Sequence, residues 1–142
     1  MHTKQYRPIL VYALCILLLS VSGQACRRVL DPWSPGLSYG KVYVDSVQVA
    51  DSAVVFTPVT IRVRGGMPDP SWSFDDFIIS TNGFEVRVQP IGKHDLNAGI
   101  VPMVIVAYDE SFPFIFLRSG NWTIRVEGRT RTLETSLVIT DS

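Results

Sequence analysis

The stretch that decides the fold class is residues 58–66, which read PVTIRVRGG. Apolar and polar residues alternate along it, and this alternation is typical of a strand with one face buried. The apolar set is Val59, Ile61 and Val63, and the polar set is Thr60, Arg62 and Arg64. The sequence therefore predicts a β-strand here with the apolar set in the core.

Similar short runs, bounded by Gly, Pro, Asn and Asp, recur on both sides of this stretch, and no window shows helical spacing. Regularly spaced short strands of this kind predict an all-β sandwich or barrel. With residues 58–64 they make about eight strands. The other predicted strands are residues 41–49, 72–80, 84–89, 101–108, 112–117, 122–127 and 133–140.

Asn82 and Gly83 stand between two of these runs. Asn-Gly is typical of a type I′ hairpin, because both central residues of that turn need a positive φ. With this dipeptide at the centre of the turn, Ile79 lies opposite Val86. The apolar residues of both strands then share one face of the sheet.

Residues 120–128, GNWTIRVEG, are followed by the last predicted strand. This segment resembles the F and G strands of immunoglobulin-like domains of bacterial surface proteins and lipoproteins, with Trp122 at the aromatic corner and Ile124 at the inward position. The resemblance implies an immunoglobulin-like antiparallel β-sandwich without a disulfide. In the competing interpretation, the Gly120–Asn121 turn closes a hairpin that pairs Leu117 with Ile124.

The resemblance extends more loosely to residues 58–66 and 67–74, and together these segments are similar to small bacterial lipoproteins with a single immunoglobulin-like domain. It implies a domain over residues 41–142.

Residues 1–25 have the composition of a secretory signal peptide, which is expected to form a helix. Lys4 and Arg7 precede an apolar run from residue 9 to residue 19, and small and polar residues follow up to Ala25. Extended to Ala25, the apolar stretch has 17 residues, at the lower limit for a membrane helix, so an uncleaved anchor is the alternative.

Cys26 directly follows this segment, and its position resembles the lipid-modified cysteine of bacterial lipoproteins. That family has Leu or a similar residue three positions earlier, where this chain has Gly23. The resemblance implies a lipid on Cys26 and attachment to a membrane. Gly23 and Ala25 also suit an ordinary signal peptidase, which would release a secreted soluble protein.

Residues 26–40 contain Pro32, Pro35 and Gly36 and no apolar period, which predicts a short tether. Trp33 in this tether is a candidate interaction residue. Cys15 and Cys26 are the two cysteines, so the domain itself has none for an internal disulfide.

The charge gives no support for nucleic-acid binding. The whole chain has 13 basic and 13 acidic residues, and the part after residue 25 has 11 basic and 13 acidic ones. A protein that binds nucleic acid usually carries a basic excess. We therefore expect no nucleic-acid partner.

The residues also give little support for catalysis, so we expect no enzyme and no cofactor. His94 lies in a polar stretch with glycines at both ends, and no serine has a nucleophile-elbow context, which predicts an exposed loop histidine. The acidic pairs at residues 75–76 and 109–110 lack the spacing of a calcium loop. No Cys and His set predicts a zinc site.

Two groups of side chains are candidates for binding. Arg62, Arg64, Arg87 and Arg125 form either a patch for an anionic ligand or a solvated sheet face, and the second is favoured. Trp72 and Phe74 form either an exposed platform or part of the core, and the core is favoured.

The sequence thus favours a non-catalytic interaction module, lipid-anchored in the bacterial cell envelope and facing the periplasm or the cell surface, with an unidentified protein partner. The alternative is an exported carbohydrate-binding or hydrolase-accessory domain. Fold alone does not separate the two, because β-sandwiches have many functions.

Overall fold

The computed structural model describes residues 36–141, and the predicted signal peptide, Cys26 and Trp33 lie outside this range. The described residues form nine β-strands and no helix, so the all-β prediction is confirmed. The strands are β1 (Leu37–Lys41), β2 (Tyr43–Gln48), β3 (Ser52–Val54), β4 (Pro58–Met67), β5 (Trp72–Asn82), β6 (Glu85–Asp95), β7 (Val106–Ile115), β8 (Gly120–Glu127) and β9 (Thr132–Thr140).

The strands form two sheets. The smaller has the order β2-β4-β7, and the larger has the order β1-β6-β8-β9-β3 with β5 also paired to β6. Strand β5 pairs along β6 from the hairpin to its far end, whereas β8 and β1 pair with the first and second halves of β6. Strand β6 is therefore the centre of the larger sheet.

Two pairings are parallel, β3 with β9 and β6 with β8, so the prediction of a wholly antiparallel arrangement is wrong. Parallel neighbours need a crossover connection. Between β6 and β8 the chain passes through β7, which belongs to the other sheet. Alternation within a strand carries no information on such a crossover.

Both sheets contribute to one hydrophobic cluster. The alternation predicted for residues 59–64 is confirmed, because the apolar set of β4 is at most 5 % exposed. No polar or charged residue among the described ones is buried. The larger sheet contributes Val86, Val88, Ile124, Val126, Leu137 and Ile139, and the smaller contributes Val44, Val59, Ile61, Val63 and Tyr108.

Because Gly65 in β4 has no side chain, the buried side chain of Tyr108 in β7 lies over β4 and reaches β2. The Tyr108 hydroxyl donates a hydrogen bond to the Tyr43 carbonyl at 2.9 Å, across the strand that contains Gly65. A Cβ at Gly65 would lie 1.9 Å from that carbonyl oxygen. Burial raises the pKa of Tyr108, and the charge of Asp45 adds to the effect.

The β5–β6 hairpin is confirmed, but its predicted register is wrong by one residue in each strand. Asn82 lies opposite Glu85 and Ile79 opposite Val88, so the central residues of the turn are Gly83 and Phe84. Gly83 has a φ of 60° and Phe84 has no positive φ, as a type II′ turn requires. The register follows the Phe84 ring, which packs edge-on against Trp122.

The predicted strand over residues 41–49 is two strands, because the chain changes sheets at Val42. The Val42 amide donates to the Pro90 carbonyl, and its carbonyl accepts from the Arg129 amide. Strand β1 begins at Leu37, inside the predicted tether, because it pairs with the end of β6.

The predicted strands over residues 101–108 and 112–117 are one strand, β7. Residues 101–105 precede it and pair with no strand. Pro102 has no amide hydrogen, and the Val104 amide bonds to the Pro102 carbonyl, which closes a tight turn. The short strand β3 was not predicted.

Trp122 lies where the chain has just crossed from β7 in one sheet to β8 in the other. Its indole Nε1 donates to the Arg118 carbonyl at 3.0 Å, and the side chain packs against Phe116. Because β7 and β8 belong to different sheets, the Leu117–Ile124 hairpin is excluded and the corner position of Trp122 is confirmed.

We predict that Trp122→Ala lowers the melting temperature sharply. Trp122 is only 5 % exposed, and truncation of a buried aromatic costs about 3 to 5 kcal/mol. The control is Leu117→Ala, because Leu117 is 65 % exposed and its loss is expected to change stability by less than about 0.5 kcal/mol. The melting temperatures are measured by circular dichroism. Equal values for the two variants would contradict the burial of Trp122 at the corner.

Candidate functional site

An open groove of about 550 Å³ lies at the end of the domain where the β5–β6 hairpin turns and β7 ends. We call it the distal groove. Its lining includes Ile79, Thr81, Phe114, Ile115, Leu117 and Arg118, and Trp122. The groove therefore lies between β5 of the larger sheet and β7 of the smaller one.

The two strands beside the groove each have an edge without a partner among residues 36–141. Strand β5 pairs only with β6, and β7 pairs only with β4. Ile78 and Ile79 in β5 are 57 % and 37 % exposed, and Ile115 in β7 is 48 % exposed. Unpaired strand edges with exposed apolar side chains are able to add a strand from another chain.

Aromatic rings fill the space between the same two strands further along the domain. Phe74 packs against Tyr108 with ring centroids 5.4 Å apart, and Phe77 packs against Phe112 at 4.7 Å. These contacts join β5 to β7 without backbone hydrogen bonds. The distal groove begins where the aromatic contacts end.

Arg118 gives the groove its one charged lining group. Its Nη2 donates to the Gly83 carbonyl at 3.0 Å, and its guanidinium lies 5.1 Å from the centre of the Phe84 ring. No carboxylate belongs to the lining. The groove therefore has a mixed lining, with apolar side chains from β5 and β7, the hydroxyls of Ser80 and Thr81, and a positive charge held at the hairpin.

Of the predicted interaction residues, Trp72 and Phe74 are half-buried and pack on the core. The Trp72 ring is stacked on His94 with centroids 4.8 Å apart, and the Arg129 guanidinium lies 5.7 Å from it. Neither side chain reaches the distal groove, so the favoured interpretation of both as packing residues is confirmed.

His94 is in β6 and not in a loop, so that expectation is wrong. It lies opposite Ser38 of β1 and opposite Trp72 of β5. Its Nδ1 is 3.4 Å from the Ser38 hydroxyl, and its ring is half-buried against Trp72. The flanking glycines suggested a loop, but Gly92 is part of the strand, where its missing side chain makes room for Val42 and Trp72.

The four arginines of the predicted patch are paired with acids. Arg62 and Arg64 both bind Asp109, the first through two hydrogen bonds of 2.6 and 2.5 Å. Arg87 contacts Glu85 and Glu127, and Arg125 contacts Glu85 and Glu134. These faces are solvated networks of both signs. Arg62 and Arg64 are in the smaller sheet and Arg87 and Arg125 are in the larger one, so the four arginines do not form one patch.

The acidic pairs do not converge. Asp75 is 3.9 Å from Lys93, and the Asp76 carboxylate accepts a hydrogen bond from the Phe77 amide beside a bulge in β5. Asp109 binds arginines, and no group of three or more His, Cys, Asp or Glu within residues 36–141 is placed to hold a metal ion.

The sequence interpretation missed the residues of the distal groove. One signal was available, because Ile78 and Ile79 are consecutive apolar residues on a predicted strand, and one of them must face outward. Nothing comparable marks Ile115 or Leu117, because the groove exists only after the two sheets have packed together.

The ion pairs predict a pH dependence of stability. The hydrogen bond from Arg62 lowers the pKa of Asp109, and Arg64 adds to the effect. A carboxyl whose pKa is lowered by folding stabilises the protein above its unfolded pKa of about 3.9 and loses that contribution as the pH falls through the folded value.

We therefore predict that Asp109→Asn lowers the melting temperature at pH 7 and that the difference from wild type shrinks toward pH 3. The control is Glu110→Gln, because Glu110 has no ion-pair partner in the described range. Thermal melts across this pH range measure both variants. A constant difference at all pH values would show that the ion pair is not its cause.

Comparison of the chain with protein-family models, with curated proteins and with solved structures finds no match. Within residues 36–141 there is no helix long and apolar enough to cross a membrane.

Proposed function

We propose that this protein is a membrane-tethered, non-catalytic interaction module of the bacterial cell envelope. The observation that carries the proposal is the distal groove, a cleft with apolar and polar lining between two strand edges that are unpaired within residues 36–141. The partner is a protein that contributes an extended segment to one of these edges. The backbone of such a segment would pair with β5 or β7, and alternate apolar side chains would enter the groove.

The lining favours a protein segment over a sugar. Carbohydrate sites need exposed aromatic faces and polar groups that bind hydroxyls. Trp72, one of the two residues of the possible exposed platform, has one face against His94 and has Arg129 close to its ring. Ile79, Ile115 and Leu117 offer apolar contact, and Arg118 offers a charge for a carboxylate of the partner.

The position of the groove suits a tethered protein. The described chain enters the domain at Gly36, whose carbonyl accepts a hydrogen bond from the Leu96 amide just beyond the end of β6. The groove is at the start of β6, beside Gly83. A strand as long as β6, with 11 residues, spans about 35 Å, so an anchor before Gly36 leaves the groove free.

A lipid on Cys26 is the anchor in this proposal. It is supported by the sequence that precedes Cys26 and by the free thiol that would otherwise remain in an exported chain. A secreted soluble form is the alternative, and it would keep the same groove.

The domain is proposed as a variant of the immunoglobulin-like sandwich. The corner bond of Trp122 supports this, since the indole takes the role of the tyrosine hydroxyl that binds the backbone a few residues upstream. The parallel pairing of β6 with β8 departs from the usual arrangement. In the variant, the second strand of the β5–β6 hairpin lies next to β8.

We predict that Ile115→Glu abolishes partner binding and leaves the domain folded. A charge at this position would face the apolar segment of the partner, whereas the exposed side chain leaves the core intact. The matched control is Val138→Glu, because Val138 is 45 % exposed and Ile115 is 48 % exposed, and both are in strands.

Crosslinking in native envelopes, followed by identification of the captured proteins, measures the effect. A protein captured by wild type and by Val138→Glu, but not by Ile115→Glu, would support the groove. The same captured proteins from both variants would contradict it.

We predict that Cys26→Ser releases the protein from membranes. A palmitate analogue supplied to the cells should label the wild type and not the variant, because the thiol is the attachment site of the lipid. Fractionation of the envelope gives the second measurement. Label retained in Cys26→Ser would place the lipid elsewhere or show that residues 1–25 remain as the anchor.

A further inference from the structure

The connection between β6 and β7 carries an exposed apolar surface that the proposed function leaves unused. No charged residue stands between Asp95 and Asp109. Within this segment Ile100 and Met103 are 104 % and 98 % exposed, and Ile105 is 67 % exposed. We call residues 96–105 the apolar loop. Adjacent exposed apolar residues on a small domain are typical of an interaction surface.

The base of the apolar loop is fixed at the place where the chain enters the domain. The Leu96 amide donates to the Gly36 carbonyl at 2.7 Å, and the Asn97 amide donates to the Asp95 carboxylate at 2.9 Å. At its other end, the Ile105 side chain lies close over Gly66, where a Cβ would be 2.4 Å from it. The loop therefore projects beside Gly36.

The length of chain between Cys26 and Gly36 limits the distance between a membrane at Cys26 and the apolar loop. Nine residues lie between Cys26 and Gly36, and the ten steps from one Cα to the next span at most about 35 Å when fully extended. If Cys26 is held at a membrane, the end of the domain with Gly36 and the apolar loop is the end nearest the lipid. The distal groove is at the opposite end.

From this geometry we infer that the apolar loop inserts into the interfacial region of the bilayer. Ile100 and Met103 are the inserting side chains. The insertion gives the domain a second attachment beside the tether and a fixed orientation, with the groove pointing away from the lipid. This inference rests on the membrane tether of the proposed function.

The test uses the full chain, bound to vesicles of phosphatidylethanolamine and phosphatidylglycerol. Met103→Cys carries an environment-sensitive fluorophore. The matched control is Phe56→Cys, because Phe56 is 68 % exposed and lies beside Pro58, at the other end of the ten-pair ladder of β4 with β7. Wild type treated with the same fluorophore gives the background from Cys15 and from any Cys26 without lipid, which is subtracted.

We expect a blue shift at position 103 and loss of most of its emission when the vesicles contain nitroxide-labelled lipid, with neither change at position 56. If the chains float with the vesicles but the fluorophore at position 103 emits at the wavelength of a water-exposed label, the insertion is overturned. A blue shift that grows with protein concentration and does not depend on lipid concentration would also overturn the insertion. It would show instead that the apolar loop contacts a second copy of the protein.

Flotation of Cys26→Ser beside wild type separates the two proposals. Equal flotation of both would overturn the tether at Cys26, and the fluorophore at position 103 would still report on the loop. A wild-type chain that does not float would overturn both the tether and the insertion.

Discussion

The contact of Trp122 with the chain that crosses between the sheets holds the two layers in their relative positions. After β7 the chain leaves the smaller sheet, and within a few residues it begins β8 in the larger one. The indole nitrogen binds the carbonyl of Arg118 in the crossing segment, while the ring packs on Phe116 and Phe84. One side chain thus connects the crossing segment, the β5–β6 hairpin and the core.

The distal groove depends on this contact. Trp122 lies beneath it, Phe84 sets the hairpin register, and Arg118 binds both the indole and the hairpin carbonyl of Gly83. Aromatic contacts further along the same two strands fix the positions of the β5 and β7 edges relative to each other. A cleft held in this way has its shape before a partner binds, which reduces the conformational entropy lost on binding.

The domain has two different ends. Exposed apolar side chains occur at both ends in the described structure. Ile115 and Leu117 are at the groove end, and Ile100 and Met103 are at the loop end. Between them, the outer sheet faces carry ion-pair networks such as that of Asp109 with Arg62 and Arg64. This distribution suits a protein that contacts one surface with each end and exposes its sides to water.

Local pattern was sufficient to predict the strand class and the buried face of β4, because both depend on residues close in sequence. The corner position of Trp122 was implied by the resemblance of residues 120–128 to immunoglobulin-like domains. The turn at Gly83 was predicted, but its register depends on the Phe84 ring, which packs on a residue far along the chain. The strand status of His94 depends on pairing with β1 and β5.

The parallel pairing of β6 with β8 and the unpaired state of residues 101–105 depend on which strands become neighbours. The distal groove has the same origin. An alternating or apolar run does not encode its partner strand, so these features could not be derived from residues 41–142 alone.

The central claim is that Trp122 is buried between the layers with its indole N–H bonded to the chain. Hydrogen exchange of that N–H, followed by NMR, tests it most directly. The account predicts an indole proton that exchanges only with global unfolding, as slowly as the core amides of β4. Exchange as fast as that of a solvent-exposed tryptophan would contradict the account.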